Sequence, residues 1–276
     1  HLALARAPML PTIWSNCLTG WLLAGGGSWA TLLQLALGIT CVFLGGAYLN
    51  DAFDAEHDRQ FRKERPVPSG AIGIDDVWRW GFGWLGAGTL LLVFLSNACG
   101  ALASLLLFSV LLYDAVHKLV AFAPLLMGAS RFLLYAVAAA AGADGLQGAA
   151  IWGGLGLTVY VTGLGYLARH ERSKIALPAW PAWLLAAPIL LAVPANTGPH
   201  LLSALCLSLM LGLWVLRSLR PAFWAENRHV GRAVSDLLAG IVLVDLLALA
   251  GGGTVWMALL YLALFVLAVA LQRVAP

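Results

Sequence analysis

Ten apolar stretches alternate with polar joints along this chain, and the alternation sorts charge. The stretches lie near 10–24, 31–50, 77–95, 98–113, 121–142, 149–168, 178–195, 200–216, 233–250 and 254–271, and all 16 lysines and arginines fall at every second joint. One side receives Arg6, then Arg59, Arg62, Lys63, Arg65 and Arg79, then Lys118, with Arg131 assigned to the same side from inside the next apolar stretch. It also receives Arg169, Arg172 and Lys174, then Arg217, Arg220, Arg228 and Arg232, and last Arg273. The opposite joints, near 25–30, 96–97, 143–148, 196–199 and 251–253, carry no lysine or arginine. A soluble core has no reason to sort cations this way. A membrane does, because Lys- and Arg-rich loops stay on the cytoplasmic side.

A helix needs about 20 residues to cross ~30 Å of hydrocarbon, and several stretches are that long. With 61% of residues hydrophobic, one soluble core could not hide the apolar surface. The expectation is an all-α, polytopic transmembrane bundle forming a single domain over residues 1–276. It has ten helices, or nine if the stretch holding Pro178, Pro181, Pro188 and Pro194 is kinked or re-entrant. The protein is expected to be an integral protein of a bacterial-type cytoplasmic membrane, with both termini on the cytoplasmic side. No signal peptide pattern is visible. Cys17, Cys41, Cys99 and Cys206 lie singly in apolar stretches, which argues against a disulfide framework or zinc site.

Only 11% of the chain is charged, yet nine of the fifteen residues from Asp51 to Arg65 are. If the helix continues past Asn50, then Asp51, Asp54 and Asp58 share one face at i, i+3 and i+7. Stacked carboxylates repel one another unless a hard cation sits among them. Mg²⁺ takes oxygen ligands and keeps room in its shell for substrate phosphates. Arg62, Lys63 and Arg65 follow, suited to phosphate oxygens, before the stiff turn of Pro66-Val67-Pro68-Ser69-Gly70. The competing reading is a solvated juxtamembrane loop.

Asn50-Asp51-x-x-Asp54-x-x-x-Asp58 with Arg65-Pro66-Val67-Pro68-Ser69-Gly70 resembles the first aspartate motif of the UbiA superfamily of intramembrane prenyltransferases. The opening stretch Arg6–Gly26 is similar to that family's first helix, and the later half matches mainly in helix layout. The resemblance implies a helical bundle around a central cavity open to the cytoplasmic side and the bilayer. It implies Mg²⁺-dependent transfer of an isoprenyl group from an isoprenyl diphosphate to a hydrophobic acceptor, aromatic or lipid, within the membrane, with no nucleic-acid partner. Asn50, Asp51, Asp54 and Asp58 would hold Mg²⁺, with Asp51, Asp54 and Lys118 serving catalysis. Asn50, Arg62, Arg65, Lys118 and Arg131 would hold the diphosphate. Lys118 could instead pair with Asp114 at i, i+4, and Arg131 could snorkel to the interface.

The resemblance breaks where the family carries a second aspartate motif. Here Gly165–Lys174 reads GYLARHERSK, without an aspartate. Arg169 and Arg172 could supply the positive charge of a missing second metal to the diphosphate, or Glu171 could still help one metal. Ebo-type UbiA-like proteins share such a degraded second motif. The competing function is a non-catalytic or transport protein that binds a phosphorylated isoprenoid or related lipid without turnover. Asp245, deep in an apolar stretch, is a further functional candidate, since an acid at that depth faces the interior or a wet cavity.

Overall fold

The computed structural model describes residues 4, 6–171, 177–225 and 228–274. Twelve α-helices and two short 3₁₀ turns make up its regular structure, and no strand occurs among the described residues. The helices are α1 (Leu10–Leu23), α2 (Trp29–Phe53), α3 (Ala55–Phe61), α4 (Ile74–Val93), α5 (Asn97–Val116) and α6 (Ala123–Ala140). They continue with α7 (Gly148–Ala168), α8 (Trp180–Leu184), α9 (Ala187–Ala195), α10 (Leu201–Phe223), α11 (Val230–Ala248) and α12 (Val255–Val274). Each of the ten apolar stretches therefore forms helix. The proline-rich stretch is broken into α8 and α9, with Pro181 and Pro188 each in a first turn, where a missing N–H costs nothing.

Local chemistry sets the boundaries. Gly25, Gly26 and Gly27 follow α1 with φ of 80°, 67° and 153°, a backbone that residues with a Cβ rarely adopt. Ser28 caps α2 by accepting the Thr31 N–H at 3.0 Å, and Ser96 caps α5 by accepting the Cys99 N–H at 3.1 Å.

Close packing depends on missing side chains. A Cβ at Gly45 on α2 would lie 2.7 Å from the Leu85 nitrogen and 2.8 Å from the Gly81 carbonyl oxygen. One at Gly88 on α4 would lie 2.6 Å from the Gly38 carbonyl oxygen. Glycines at α2 and α4 thus let the two backbones approach, which is how helices pack where lipid removes the hydrophobic drive.

Among the described residues, six helical segments, built on α2, α5, α6, α7, α10 and α12, are long and apolar enough to cross a membrane. The outer surface carries large apolar side chains: Trp29, Phe94, Leu202 and Trp256 are each more than 70% exposed. Water would not tolerate such a surface at this density, whereas acyl chains match it. We read the chain as an integral membrane protein. Polar side chains are instead drawn inward, to one end of α2 and α5 and to a buried cluster among α1, α6 and α11.

A carboxylate cluster at the mouth of an apolar cavity

Asn50 and Asp51 lie in the last turn of α2, and Asp54 is the hinge between α2 and α3. The helical register survives the hinge: the N–H groups of Asp54, Asp58 and Arg62 donate to the carbonyls of Asn50, Asp54 and Asp58 at 3.0, 2.8 and 2.7 Å. All four candidate oxygen ligands, Asn50, Asp51, Asp54 and Asp58, are therefore turned inward and buried.

Each carboxylate meets a cation. Arg65 Nη1 stands 3.1 Å from Asp51 Oδ1 and 3.1 Å from Asp58 Oδ2, so one guanidinium bridges two turns of the motif. The Pro66–Gly70 turn that follows folds on itself through Ser69 N to Arg65 O at 2.9 Å and Gly70 N to Val67 O at 3.1 Å. Arg62 Nε lies 3.9 Å from Asp58 Oδ1. Lys118 Nζ contacts Asp54 Oδ1 at 2.6 Å, with His117 Nε2 at 3.4 Å from the same oxygen. Burial pushes the Asp54 carboxyl up, but hydrogen bonds and charge from His117 and Lys118 outweigh it and hold it down at about 2.

Three participants were not assigned from the sequence. Arg6, just before α1, donates to Asn50 Oδ1 and lies 3.3 Å from Asp51 Oδ1. Its φ of 44° turns the chain back toward α2, and no periodicity announces that. Asp114, buried in α5, accepts from Asn50 Nδ2 at 3.0 Å, so its partner is not Lys118, which goes to Asp54. His117 stacks on Tyr113 at 5.1 Å between ring centroids and bridges to Asp54.

In this arrangement no three His, Cys, Asp or Glu side chains among the described residues converge on one point suited to a metal ion. Basic side chains lie against these carboxylates. The donor set still fits Mg²⁺ chemically. It offers only oxygen, and two buried carboxylate oxygens, Asp58 Oδ1 and Asp114 Oδ2, have no hydrogen-bond partner.

Two further candidates stand apart. Arg169 Nη1 donates to the Ala121 carbonyl at 2.6 Å, and Nη2 donates to those of His117 and Val120 at 3.1 and 2.9 Å. It clasps the end of α5 and its loop rather than pointing at the carboxylates. Glu171 is exposed, and its carboxylate sits at α11, where a Cβ on Gly231 would be 2.4 Å from Oε1. It is not part of the cluster. Arg172 lies outside the described residues. Arg131 does not snorkel: its guanidinium turns inward to Asn16 and Thr12 of α1.

A cavity of about 180 Å³ opens beside the cluster. Arg6, Asn50, Tyr113 and Asp114 line its polar end, and Ser130 and Arg131 add a second polar wall. Ile39, Phe43, Leu106, Val110, Leu134 and Ile241 are among its apolar walls. A larger cavity, about 650 Å³, is lined by parts of α1, α7, α9, α11 and α12, including Trp152 and Leu191, and shares no lining residue with the carboxylate cluster. Of these two cavities, the smaller joins charged side chains to apolar space.

Known proteins resemble this chain in sequence and in fold. The family model for the UbiA prenyltransferase family matches residues 9–226. A digeranylgeranylglyceryl phosphate synthase of Methanothrix thermoacetophila is 34% identical over 103 residues, 37% of this chain and 39% of that protein. The synthase of Ignicoccus hospitalis is 33% identical over 105 residues, 38% of this chain and 34% of that protein. The chain thus spans less than two-fifths of the length of these two curated relatives. Among solved structures, a UbiA homolog from Aeropyrum pernix K1 superposes with a TM-score of 0.69 at 16% identity, covering 88% of this chain and 96% of that one. A UbiA homolog from Archaeoglobus fulgidus, bound to GPP and Mg²⁺, gives 0.54 at 11% identity, covering 99% and 98%. At such identities the structural likeness speaks for the fold.

Proposed function

This chain belongs to the UbiA prenyltransferase family, and from that premise we propose that it transfers an isoprenyl group from an isoprenyl diphosphate to a hydrophobic acceptor inside the membrane. The observation that carries the reading is the meeting of buried carboxylates and basic side chains at the polar end of an apolar cavity. The diphosphate binds at the charged end and the hydrocarbon tail occupies the apolar space. Asn50, Asp51, Asp54 and Asp58 are the residues that would hold Mg²⁺, which supplies charge to neutralise the departing diphosphate. Lys118, Arg6, Arg62 and Arg65, which lie on these carboxylates, are the groups that would meet the phosphate oxygens.

The reaction breaks the bond between the allylic C1 and the diphosphate oxygen. The electron pair leaves with the diphosphate, and the acceptor's nucleophilic atom forms the new bond to C1 and then loses its proton. The apolar walls keep water from capturing the allylic cation. Fixed cations at the charged end favour the separated charges, the largest kind of contribution such a site can make. The charged end faces the cytoplasm in this reading, following the cation asymmetry.

A second reading, binding of a phosphorylated isoprenoid without turnover, is favoured by one observation: Glu171, the acid in the segment where the family has its second motif, stands away from the cluster. One experiment separates the two. Purified protein is given radiolabelled geranyl diphosphate with and without Mg²⁺, and diphosphate release and retained lipid are both scored. Mg²⁺-dependent release supports transfer, retention without release supports the second reading, and neither result sinks both.

A further inference from the structure

Arg131 is an arginine near the middle of a membrane helix. It lies eight residues into the 18-residue α6, about 12 Å beyond the helix start at 1.5 Å per residue. An arginine at such depth is costly and marks function unless it is paired. Among the described ion pairs it has none. Among the described residues its hydrogen bonds go to α1: Nη1 donates to Asn16 Oδ1 at 2.6 Å and to the Thr12 carbonyl at 3.5 Å, and Nη2 donates to Thr12 Oγ1 at 3.3 Å.

The compensating charge stands one side chain further back. Asp245, wholly buried in α11, accepts from Asn16 Nδ2 at 2.6 Å, Ser15 Oγ at 2.5 Å and Tyr135 OH at 2.8 Å. The Asn16 amide is therefore fixed, with its oxygen toward Arg131 and its nitrogen toward Asp245. This relay holds the guanidinium rigidly and balances its charge at a distance, without covering it with a carboxylate.

Arg131 also lines the apolar cavity, across from the end formed by Arg6, Asn50 and Asp114. The carboxylate on that cavity wall, Asp114, is engaged with Asn50 instead. A guanidinium carries five N–H donors, and the contacts to α1 take three. A preorganised cation on the wall of a largely apolar cavity, short of a direct counter-ion, is a site for an anion.

We propose that the Arg131 guanidinium, anchored through Asn16 to Asp245, is an anion subsite that takes the acidic head group of the acceptor. The assignment rests on the transferase reading, with the diphosphate held at the opposite end, where Arg6, Asn50 and Asp114 line the cavity. It makes the acceptor an amphiphile bearing a phosphate or carboxylate, and excludes a neutral acceptor. A phosphate at Arg131 could have either of two sources, the acceptor or the diphosphate, so the test separates them.

The protein is placed in phosphatidylcholine nanodiscs, and calorimetry compares 1-oleoylglycerol 3-phosphate with 1-oleoylglycerol, alongside geranyl diphosphate with Mg²⁺. The wild type is expected to prefer the phosphate by about tenfold or more, the scale of a charge-assisted contact. Arg131→Gln removes the cation, and Thr12→Asp neutralises it in place by setting a carboxylate against Nη2. If the glutamine variant fails to fold, the aspartate variant still decides. Both should bring the preference to within about twofold and leave geranyl diphosphate affinity within about threefold, because only the anion contact is lost. A merely structural Arg131 would alter stability without moving the ratio. Persistence of the preference in both variants, its absence in the wild type, or an equal loss for geranyl diphosphate would overturn the assignment. Failure of the wild type to bind geranyl diphosphate would instead strike the transferase reading, while the phosphate-to-neutral ratio would still report on the subsite.

Discussion

Lys118 Nζ lies 2.6 Å from Asp54 Oδ1, which joins the loop after α5 to the hinge between α2 and α3. This contact, together with the Arg65 bridge between Asp51 and Asp58, stands where a metal-bridged diphosphate is proposed to bind. The carboxylates are thus balanced by cations of the chain itself. Without them, three buried carboxylates would repel one another at short range.

Asp54→Asn tests the centre of this arrangement. The change keeps size and removes charge, so Mg²⁺-dependent geranyl diphosphate binding should fall by at least about tenfold, the scale of a lost charge-assisted contact. Circular dichroism should still report a helical bundle. Undiminished Mg²⁺-dependent binding in a folded variant would remove Asp54 from the metal site.

The same carboxylate sets a pH dependence for the ligand-free protein. Its pKa in the fold, about 2, lies below the ordinary 3.8. Its stabilising contribution is therefore fully present above pH 3.8 and disappears as pH falls through about 2. Wild type should exceed Asp54→Asn in stability near neutral pH, and the gap should close in that acid window. Thermal unfolding in detergent at stepped pH measures it, and a constant gap between pH 5 and pH 2 would contradict the assigned pairing.

How far this site was legible in the sequence follows from where its partners come from. The ten apolar stretches and the proline break were readable because hydropathy and missing N–H groups act locally. The inward register of Asn50, Asp51, Asp54 and Asp58 was readable because helical spacing crosses the hinge. The partners were not. Lys118 and Asp114 sit at i, i+4, yet Lys118 reaches Asp54, sixty-four residues away, because α5 packs beside the end of α2. Arg6 enters through a left-handed turn that only tertiary contact explains. Arg169 had the charge for a phosphate, but the open carbonyls at the C-terminal end of α5 are nearer and attract a cation equally well.

Arg169→Ala therefore tests a positioning role. Loss of its hydrogen bonds to His117, Val120 and Ala121 should raise amide exchange across residues 117–122 in the ligand-free protein. Geranyl diphosphate affinity should drop by about threefold to tenfold, through a Lys118 that is less well placed. Arg169→Lys should recover part of both effects. A direct phosphate ligand would lose affinity without any change in exchange before the ligand is added.

Topology can be read with single cysteines in a cysteine-free background at the exposed positions Gln60, Leu146, Thr197 and Trp224. The cation asymmetry expects 60 and 224 to be labelled only from the cytoplasmic side, and 146 and 197 only from the other. Labelling of position 60 from outside would invert the bundle and move the carboxylate cluster with it.

Glu171→Gln asks whether a second metal persists at the degraded motif. In the fold the Glu171 carboxylate packs on Gly231, in the first turn of α11, where the ends of unpaired N–H groups are electropositive. A carboxylate there stabilises the helix start by about 0.3–1 kcal/mol and needs no metal to do so. The substitution should lower thermal stability slightly and leave the Mg²⁺ concentration for half-maximal geranyl diphosphate binding unchanged. Asp54→Asn and Asp58→Asn should each raise that concentration, because their oxygens belong to the proposed single site. Arg65 gives the comparison its internal control: Arg65→Gln frees Asp51 and Asp58 from their bridge, so it should ease Mg²⁺ binding while weakening the diphosphate. If Glu171→Gln raised the Mg²⁺ requirement as steeply as Asp54→Asn, a second metal would have to sit near Glu171, and the cluster around α2 would hold only part of the site.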